Sequence, residues 1–556
     1  MCNHSNLAKK VIFLLVVIFS TSWFIHSEAQ GFSPQTQARL QHVIDSFQNN
    51  PANPYIGGMS AAVKVDGLAS WQGATGYAAR NIDGNNNLLP GGTAFTTSAL
   101  SRMYSVTKSF TAPLVLELAK EGAFSLDDPI TKYIPLHMIN PGLNSTVTIR
   151  QLLAHESGYS NYTDEFMLQL AVAFQPTHIW TVFEMLTFVH QINTPGAVRL
   201  YSSTNYLVLG AIIEIATGKP VQQHFRERFF TPLQLNSTYF GVRETLPAGT
   251  LLASPHDNLS PFNPIFQLTG QPIFPDAYTN VSAFPFTGIV SLAFTGGGLV
   301  TNIDDMAEWG NSLFGGRATS QSTIDMMINS ISSTPDPDGD YLGYGIFRTT
   351  KISANDVFIG HDGNAPGYRS VMFYQPDRKL TIAILTNYAG AKLYAVAKAL
   401  FEALPEFTCG NKNKKEDKII LCFNTNSLCV DRIAAAGFIS KGAYLGNCQG
   451  LPSARQPGSQ SNSIDISDKT ENYLQVYPNP SVERITLSFT PAETGKYDLR
   501  LYDLTGRLIT TLYSKMSEKG VSQRIEWNAG KVARGPYIVC LQTPTGIQRQ
   551  KIVMGK

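Results

Sequence analysis

Ser105 and Lys108 stand three residues apart at the head of the apolar run SFTAPLVLELAK. Residues three apart share one face of a helix, so the spacing sets a hydroxyl beside an ammonium. A serine hydroxyl attacks a carbonyl only when a neighbour takes its proton, and a lysine can do so only when burial or nearby charge lowers its pKa. Here Phe110, Leu114, Val115, Leu116 and Leu118 make the following turns apolar almost all round, and the helix start adds its positive dipole end. The chemistry this pair would support is acyl transfer through a serine ester. Alone, the tetrapeptide is a weak signal, because chance produces about one or two in a chain of this length and an ordinary helix with a surface lysine is then the default reading.

The surrounding stretch removes that ambiguity. YSVTKSFTAPLVLELAKEGAFSLDDPITKYIP resembles the first catalytic block of the serine β-lactamase and D,D-peptidase superfamily, in the branch holding class C-like β-lactamases, D-alanyl-D-alanine carboxypeptidases and related esterases. The resemblance implies a second motif, Y-x-N, that brings a tyrosine to the nucleophile. Literal matches occur at Tyr159-Ser160-Asn161 and Tyr278-Thr279-Asn280, but the family context is a PG turn, the motif, and an apolar helix ending in TGKP. PGAVRLYSSTNYLVLGAIIEIATGKP supplies it and selects Tyr201. Ser203 stands where the family has asparagine, with Asn205 two residues on. Serine can bond Lys108 or a substrate carbonyl but lacks an amide's joint donor and acceptor reach, so a weaker grip on amide substrates is expected. His155 in LLAHESGYSNY is expected to pack and hydrogen-bond rather than react, and Gly296, Gly297 and Gly298 to form a turn, with close approach to the cleft as the alternative.

A third motif follows in IGHDGNAPGYRSVMFY, where His361-Asp362-Gly363 matches the family's H-x-G ahead of a strand. Gly363 permits close approach of the backbone. The resemblance implies an oxyanion hole made by the backbone N–H groups of Ser105 and Asn364. Histidine in place of lysine points away from class C β-lactamases and toward carboxypeptidases and esterases. The carboxylate of Asp362 should repel a substrate ending in a carboxylate unless Arg369 offsets it. The expected catalytic set is thus Ser105, Lys108 and Tyr201, with Ser203, His361, Asp362, Gly363, Asn364 and Arg369 lining the substrate. No cofactor motif and no zinc-like His and Cys spacing is present, so neither cofactor nor metal is expected.

The elements that must position these groups run from Ser33 to about Pro405. PQTQARLQHVIDSF reads as an amphipathic helix, and AAVKVDG with ASWQGATGYAA as a hairpin. GYRSVMFYQP and RKLTIAILTNY form a second hairpin, followed by the helix AKLYAVAKALFEAL. This order predicts an α/β sandwich whose antiparallel sheet takes strands from both ends of the domain, flanked by helices and carrying an inserted helical region. The resemblance implies the same architecture over residues 33–405.

The remaining segments differ in character. Residues 1–29 have the basic, apolar and small-residue regions of a secretory signal, with Cys2 ahead of the apolar run. Residues 409–450 carry Cys409, Cys422, Cys429 and Cys448, which in an oxidising compartment read as two disulfides with three possible pairings and Cys540 left over. This segment resembles a small cysteine module of Bacteroidetes surface proteins without its histidines, and reads as a stapled spacer. Residues 451–472 read as a solvated linker. Residues 473–556 run in short alternating strands, as expected of a small all-β sandwich. VYPNP, LYDLTGRLI, GPYIV and KIVMGK, in that order, resemble the C-terminal sorting domain of the type IX secretion system.

At 556 residues the chain is too long for one core, and a net charge of +2 with 15% charged residues points to no nucleic-acid partner. The expected function is a secreted serine hydrolase acting through an acyl-enzyme and related to D-alanyl-D-alanine carboxypeptidases and β-lactamases. A small-ester carboxylesterase and a catalytically decayed surface binding protein are the alternatives. Its partners would be a small-molecule or peptide substrate and the type IX machinery, with no transmembrane anchor once the signal is removed.

Overall fold

The computed structural model describes residues 31–50, 55–410, 416–448, 474–477, 484–491, 493–503, 507–530, 532–533, 535–544 and 547–554. The signal segment 1–29 and the linker 451–472 lie outside the described residues. Two compact units are formed, one from residues up to Asp83 with Leu88–Asp257 and Asn280–Pro452, the other from Gly84–Asn87, Asn258–Thr279 and Ser453 onward.

The first unit is built on an antiparallel sheet of eight strands: β1 (Gly58–Val65), β2 (Ala69–Ile82), β3 (Leu88–Ala94), β4 (Tyr341–Leu342), β5 (Phe347–Thr349), β6 (Phe358–Ala365), β7 (Tyr368–Gln375) and β8 (Leu380–Thr386). Their order is β3-β2-β1-β8-β7-β6-β5-β4. Strand β8, LTIAILT, is buried along its whole length, so it occupies the centre, where layers on both faces cover it. It pairs with β1 in the register Ala62↔Ala383, and this pairing closes a sheet whose strands come from both ends of the domain.

Helices cover both faces. On one side lie α1 (Pro34–Gln48) and a later helix of residues Leu393–Glu402. Helix α1 starts at Ser33, whose hydroxyl accepts the Thr36 N–H at 3.2 Å, and it buries Leu40, Val43 and Ile44 at helical spacing. On the other side are α2 (Lys108–Lys120), α3 (Ser203–Thr217), α4 (Thr287–Gly297) and α5 (Ile303–Phe314). Here Phe110 of α2 stacks on Trp309 of α5 at 3.6 Å, and the indole N–H donates to Ser109 Oγ at 2.8 Å. Those contacts fix the helix that carries Lys108 against the rest of the core.

The cysteine segment, read from the sequence as a stapled spacer, packs into the first unit. Its disulfides pair Cys409 with Cys429 and Cys422 with Cys448. Ile419, Leu421, Ala435, Ile439 and Leu445 are buried in the same hydrophobic cluster as Leu40 of α1 and Leu400. Leu445 N–H donates to Gly31 O at 2.7 Å, and Asp417 pairs with Lys379 and Arg432. The module therefore caps the α1 side of the domain, and its apolar strand residues are what require that docking.

In the second unit, the C-terminal strands form two antiparallel sheets of three and four strands. Ile485, Leu487, Tyr497, Leu499, Val539 and Leu541 make a separate core, and Cys540 forms no disulfide.

Candidate active site

The turn carrying Ser105 begins at Tyr104, whose φ of 41° is a left-handed value that costs a side-chain-bearing residue about 1–3 kcal/mol. It leads into a 3₁₀ turn over Tyr104–Thr107 that continues as α2, so Ser105 lies in the turn and Lys108 at the first position of the helix. Ser105 is half-buried, while Lys108 is fully buried. Lys108 Nζ has three partners: Ser105 Oγ at 2.8 Å, Ser203 Oγ at 3.2 Å and the Gly296 carbonyl at 2.7 Å. It also sits over the rings of Tyr201 and Tyr206, at 5.1 and 5.7 Å.

Tyr201 arrives from the lead into α3 and donates its hydroxyl to Ser105 Oγ at 2.9 Å. The tyrosine selected by its flanking turn and helix is therefore the one at the serine. Tyr159, from the literal match, instead donates to the Asn144 carbonyl at 2.8 Å, and Tyr278 is exposed. His155 stacks on Tyr201 with ring centroids 4.6 Å apart, and its Nδ1 accepts the Ser202 N–H at 3.1 Å. Packing and orientation of the tyrosine are thus its part in the site. Asn205 is buried, with its Oδ1 accepting from Ser157 Oγ at 2.6 Å, so it does not replace the missing amide at Ser203.

Burial sets the titration of the pair. It lowers the Lys108 ammonium to about 7, with the charge of Asp362 opposing the shift. It raises the Tyr201 phenol well above its ordinary value, against the hydrogen bonds to Ser105 and Ser203. A neutral lysine donates two hydrogens and keeps a lone pair, so Gly296 O and Ser203 Oγ can take the hydrogens while Ser105 O–H donates to Nζ. The same three contacts satisfy the ammonium, so either protonation state fits without rearrangement.

Strand β6 forms the opposite wall. His361 is buried, its ring 6.0 Å from Tyr201 and 4.9 Å from Phe347, and its Nδ1–H donates to the Asp362 carbonyl at 2.6 Å. Burial and the nearby Lys108 depress it to about 3, so it is a neutral imidazole. Gly363 passes directly against the turn before the nucleophile, where a Cβ would overlap the Met103 carbonyl oxygen and Ser370 Oγ. Ser370 Oγ itself donates to Met103 O at 2.7 Å, tying β7 to the same turn. Strand β5 pairs with β6 only over Phe358–Gly360, so among the described residues no strand pairs with β6 on that side from His361 to Ala365. Asn364 on that edge is exposed and pairs in register with Arg369 of β7, whose Nε donates to the Ala389 carbonyl.

Asp362 Oδ2 accepts from Tyr394 OH at 3.0 Å. Burial raises its carboxyl, and Tyr394, Lys351, Arg369 and Lys108 all oppose that rise. With 38% of the side chain in solvent, burial acts on this carboxyl only in part.

Two participants escaped the sequence. The Gly296 carbonyl holds Lys108, and a Cβ on Gly296 would come within 2.8 Å of Leu207 Cδ1. The only signal was the TGGG run. Tyr394 lies in a helix thirty-two residues beyond its partner, and nothing local marks it. Among the described residues, no cluster of three His, Cys, Asp or Glu side chains suits a metal ion, and no helix is long and apolar enough to cross a membrane.

Comparison with known proteins agrees with this geometry. The beta-lactamase family model matches residues 43–404, and the secretion system C-terminal sorting domain matches residues 475–555. The sorting domain addresses the chain to the type IX secretion system, and so to the cell surface or the extracellular space. Protein flp of Staphylococcus aureus strain MW2 is 26% identical over 287 residues, which cover 51% of this chain and 52% of that protein. The chain thus spans about half the length of the curated relatives it matches. Among solved structures, a D-stereospecific amidohydrolase from a Streptomyces species is 25% identical, with a TM-score of 0.53, covering 66% of this chain and 98% of its own. The D-amino acid amidase of Ochrobactrum anthropi shares the fold at 24% identity and a TM-score of 0.54, covering 68% of this chain and 99% of its own. With the model spanning the whole sheet and all three motifs, the chain belongs to the beta-lactamase family.

Proposed function

We propose that the protein is an exported serine hydrolase that cleaves small amides and esters through an acyl-enzyme on Ser105. The observation that carries this is the placement of Ser105 Oγ between a buried lysine at 2.8 Å and a tyrosine hydroxyl at 2.9 Å. Neutral Lys108 takes the proton of Ser105 as Oγ adds to the substrate carbonyl. Negative charge on the carbonyl oxygen is received by the N–H groups of Ser105 and Asn364, each such donor being worth about 3 kcal/mol in a transition state. As the intermediate collapses, Tyr201 gives its hydroxyl proton to the leaving group and is reprotonated from the Lys108 ammonium. Water then attacks the ester by the reverse relay and frees the serine. The complete hydrogen-bond set argues against a decayed binding protein.

For the substrate, Asp362 favours acyl groups and leaving groups without a terminal carboxylate. The likeness to a D-stereospecific amidohydrolase supports amides of D-amino acids alongside simple esters, ahead of D-Ala-D-Ala peptides and β-lactams. The test is a panel of p-nitrophenyl esters, D-amino acid amides, D-Ala-D-Ala peptides and a cephalosporin. The first two groups should be turned over at least about ten-fold faster than the last two, and Asp362→Thr should narrow that gap. Faster hydrolysis of the cephalosporin than of the esters, or a gap unaltered by Asp362→Thr, would count against this substrate class.

A further inference from the structure

The Gly296 carbonyl that holds Lys108 belongs to a run of three glycines, and a glycine run does not fix its own peptide planes. Its direction must come from the residues beside it. At Phe294 helix α4 breaks, with φ 31° and ψ −129°, a backbone conformation that a residue with a side chain holds only where its surroundings force it. The next residue, Thr295, is fully buried and bonded at both ends. Its hydroxyl donates to the Tyr206 carbonyl of α3 at 2.6 Å, and its own carbonyl accepts from Thr111 Oγ1 of α2 at 2.7 Å. Beyond the glycines, Leu299 N–H donates to Thr107 Oγ1 at 3.2 Å. The run is thus pinned, before and after Gly296, to the turn and helix that carry Lys108.

Helix α3 makes room for this anchor. A Cβ on Gly210 would stand 2.1 Å from Thr295 Oγ1 and 2.5 Å from Phe294 Cε1, so a glycine in the middle of that helix is what admits both side chains. Glycine is a poor helix residue, and here it permits a contact that any Cβ would block. Phe294 is held in turn by Arg243, whose guanidinium carbon lies 4.2 Å from the ring centroid, and by Phe240 at 5.8 Å. The titratable groups around Lys108 Nζ are Tyr201, Tyr206, His155, and His361 and Asp362 of β6. Among the described residues none of their side chains bonds Thr295, which reaches the lysine only through backbone.

We propose that Thr295 is a positioning residue for the proton relay: by bonding α3 with its hydroxyl and α2 with its carbonyl, it aims the Gly296 carbonyl at Lys108 Nζ and keeps that nitrogen on Ser105. This rests on the acyl-enzyme reading of Ser105. A carbonyl bonds an ammonium more strongly than an amine, so a Gly296 carbonyl turned away disfavours the protonated lysine. Loss of the Thr295 hydroxyl should therefore lower the pH at which Lys108 becomes a competent base. It should also slow acylation, because the amine loses one of its three guides.

The test is the rate of Ser105 acylation by a p-nitrophenyl ester against pH, in the unaltered full chain and in Thr295→Val, Thr295→Ser and Thr111→Val, each with a melting curve. Valine keeps the shape of threonine and removes the hydroxyl. In Thr295→Val the midpoint should fall from near 7 by about half to one pH unit and the plateau by about ten-fold, whereas Thr295→Ser should keep both close to those of the unaltered chain. Thr111→Val, which frees the Thr295 carbonyl, should move the midpoint in the same direction. An unchanged or raised midpoint in Thr295→Val, or a Thr295→Ser protein shifted as far as Thr295→Val, overturns the proposal, since a residue that only supports the fold would change rate or stability without this pattern. If Thr295→Val does not fold, Thr111→Val decides by the same criterion. An unaltered protein that is not acylated on Ser105, or whose rate does not rise through pH 7, overturns the underlying reading and this proposal with it.

Discussion

Replacing Lys108 with methionine should abolish turnover and raise the thermal midpoint at the same time. Loss of the base removes the proton acceptor for Ser105, an effect of roughly ten-thousand-fold at the upper end of general acid–base catalysis. The gain in stability comes from the burial of an ionisable group with no surface exposure. In the fold its ammonium titrates at about 7, against 10.5 for the free side chain, and each unit of depression is about 1.4 kcal/mol. The sign follows from proton uptake: between those two values the unfolded chain holds a proton the folded one has released. Stability is therefore lost as pH falls from about 10.5 to about 7, and the whole cost is present below 7. Methionine fills similar volume without the charge, but leaves the Gly296 carbonyl and Ser203 Oγ short of a donor, which offsets part of the gain. The net effect should be an increase in thermal midpoint that is largest at pH 6 and fades by pH 10. Calorimetry at the two pH values checks it; a midpoint lowered at pH 6 would mean the lysine is held by more than it costs to bury.

Gly363→Ala should reduce kcat/KM by at least about a hundred-fold and lower the fold's stability by about 1–3 kcal/mol. The added methyl meets a backbone carbonyl, Met103 O, two residues before the nucleophile, and the Ser370 hydroxyl that bonds the same carbonyl. Backbone gives way less readily than a side chain, so the turn carrying Ser105 or the edge of β6 must move. A misplacement of about 1 Å at a reacting centre costs of the order of a hundred-fold in rate. Steady-state kinetics on a p-nitrophenyl ester and a melting curve make the comparison. Wild-type kinetics would show that the strand does not press on the nucleophile turn.

Much of this site was legible in the sequence because its signals are local. Ser105 and Lys108 declare themselves by helical spacing, and Tyr201 by the turn and helix around it, which outweighed two better literal motifs. The hairpins were legible, one by alternation and a Gly turn and the other by the turn at Pro376-Asp377-Arg378: β1 pairs with β2 and β7 with β8. Contacts made across the fold were not. The Gly296 carbonyl acts through its backbone, so its residue type carries no chemistry to read, and Tyr394 reaches Asp362 from a helix of another layer. Asn161 was set aside with its motif because the tyrosine was the residue sought, while the asparagine two positions later reached Ser203. The docked cysteine module follows from a similar oversight. Cysteine density suggested a stapled spacer, but Ile419 and Leu421 alternate on one face of a strand, and two disulfides do not cover them.

The most direct test of the account is the rate at which an ester or penicillin label appears on Ser105 as pH is varied from 5 to 9, read by peptide mass after quenching. Lys108 must be neutral to accept the serine proton, whereas Tyr201 stays protonated throughout this range. The account predicts a single adduct, on the peptide containing Ser105, whose rate of formation rises with pH to a plateau with a midpoint near 7. An adduct on another residue, or a rate on Ser105 that is flat or falls across pH 7, would contradict it.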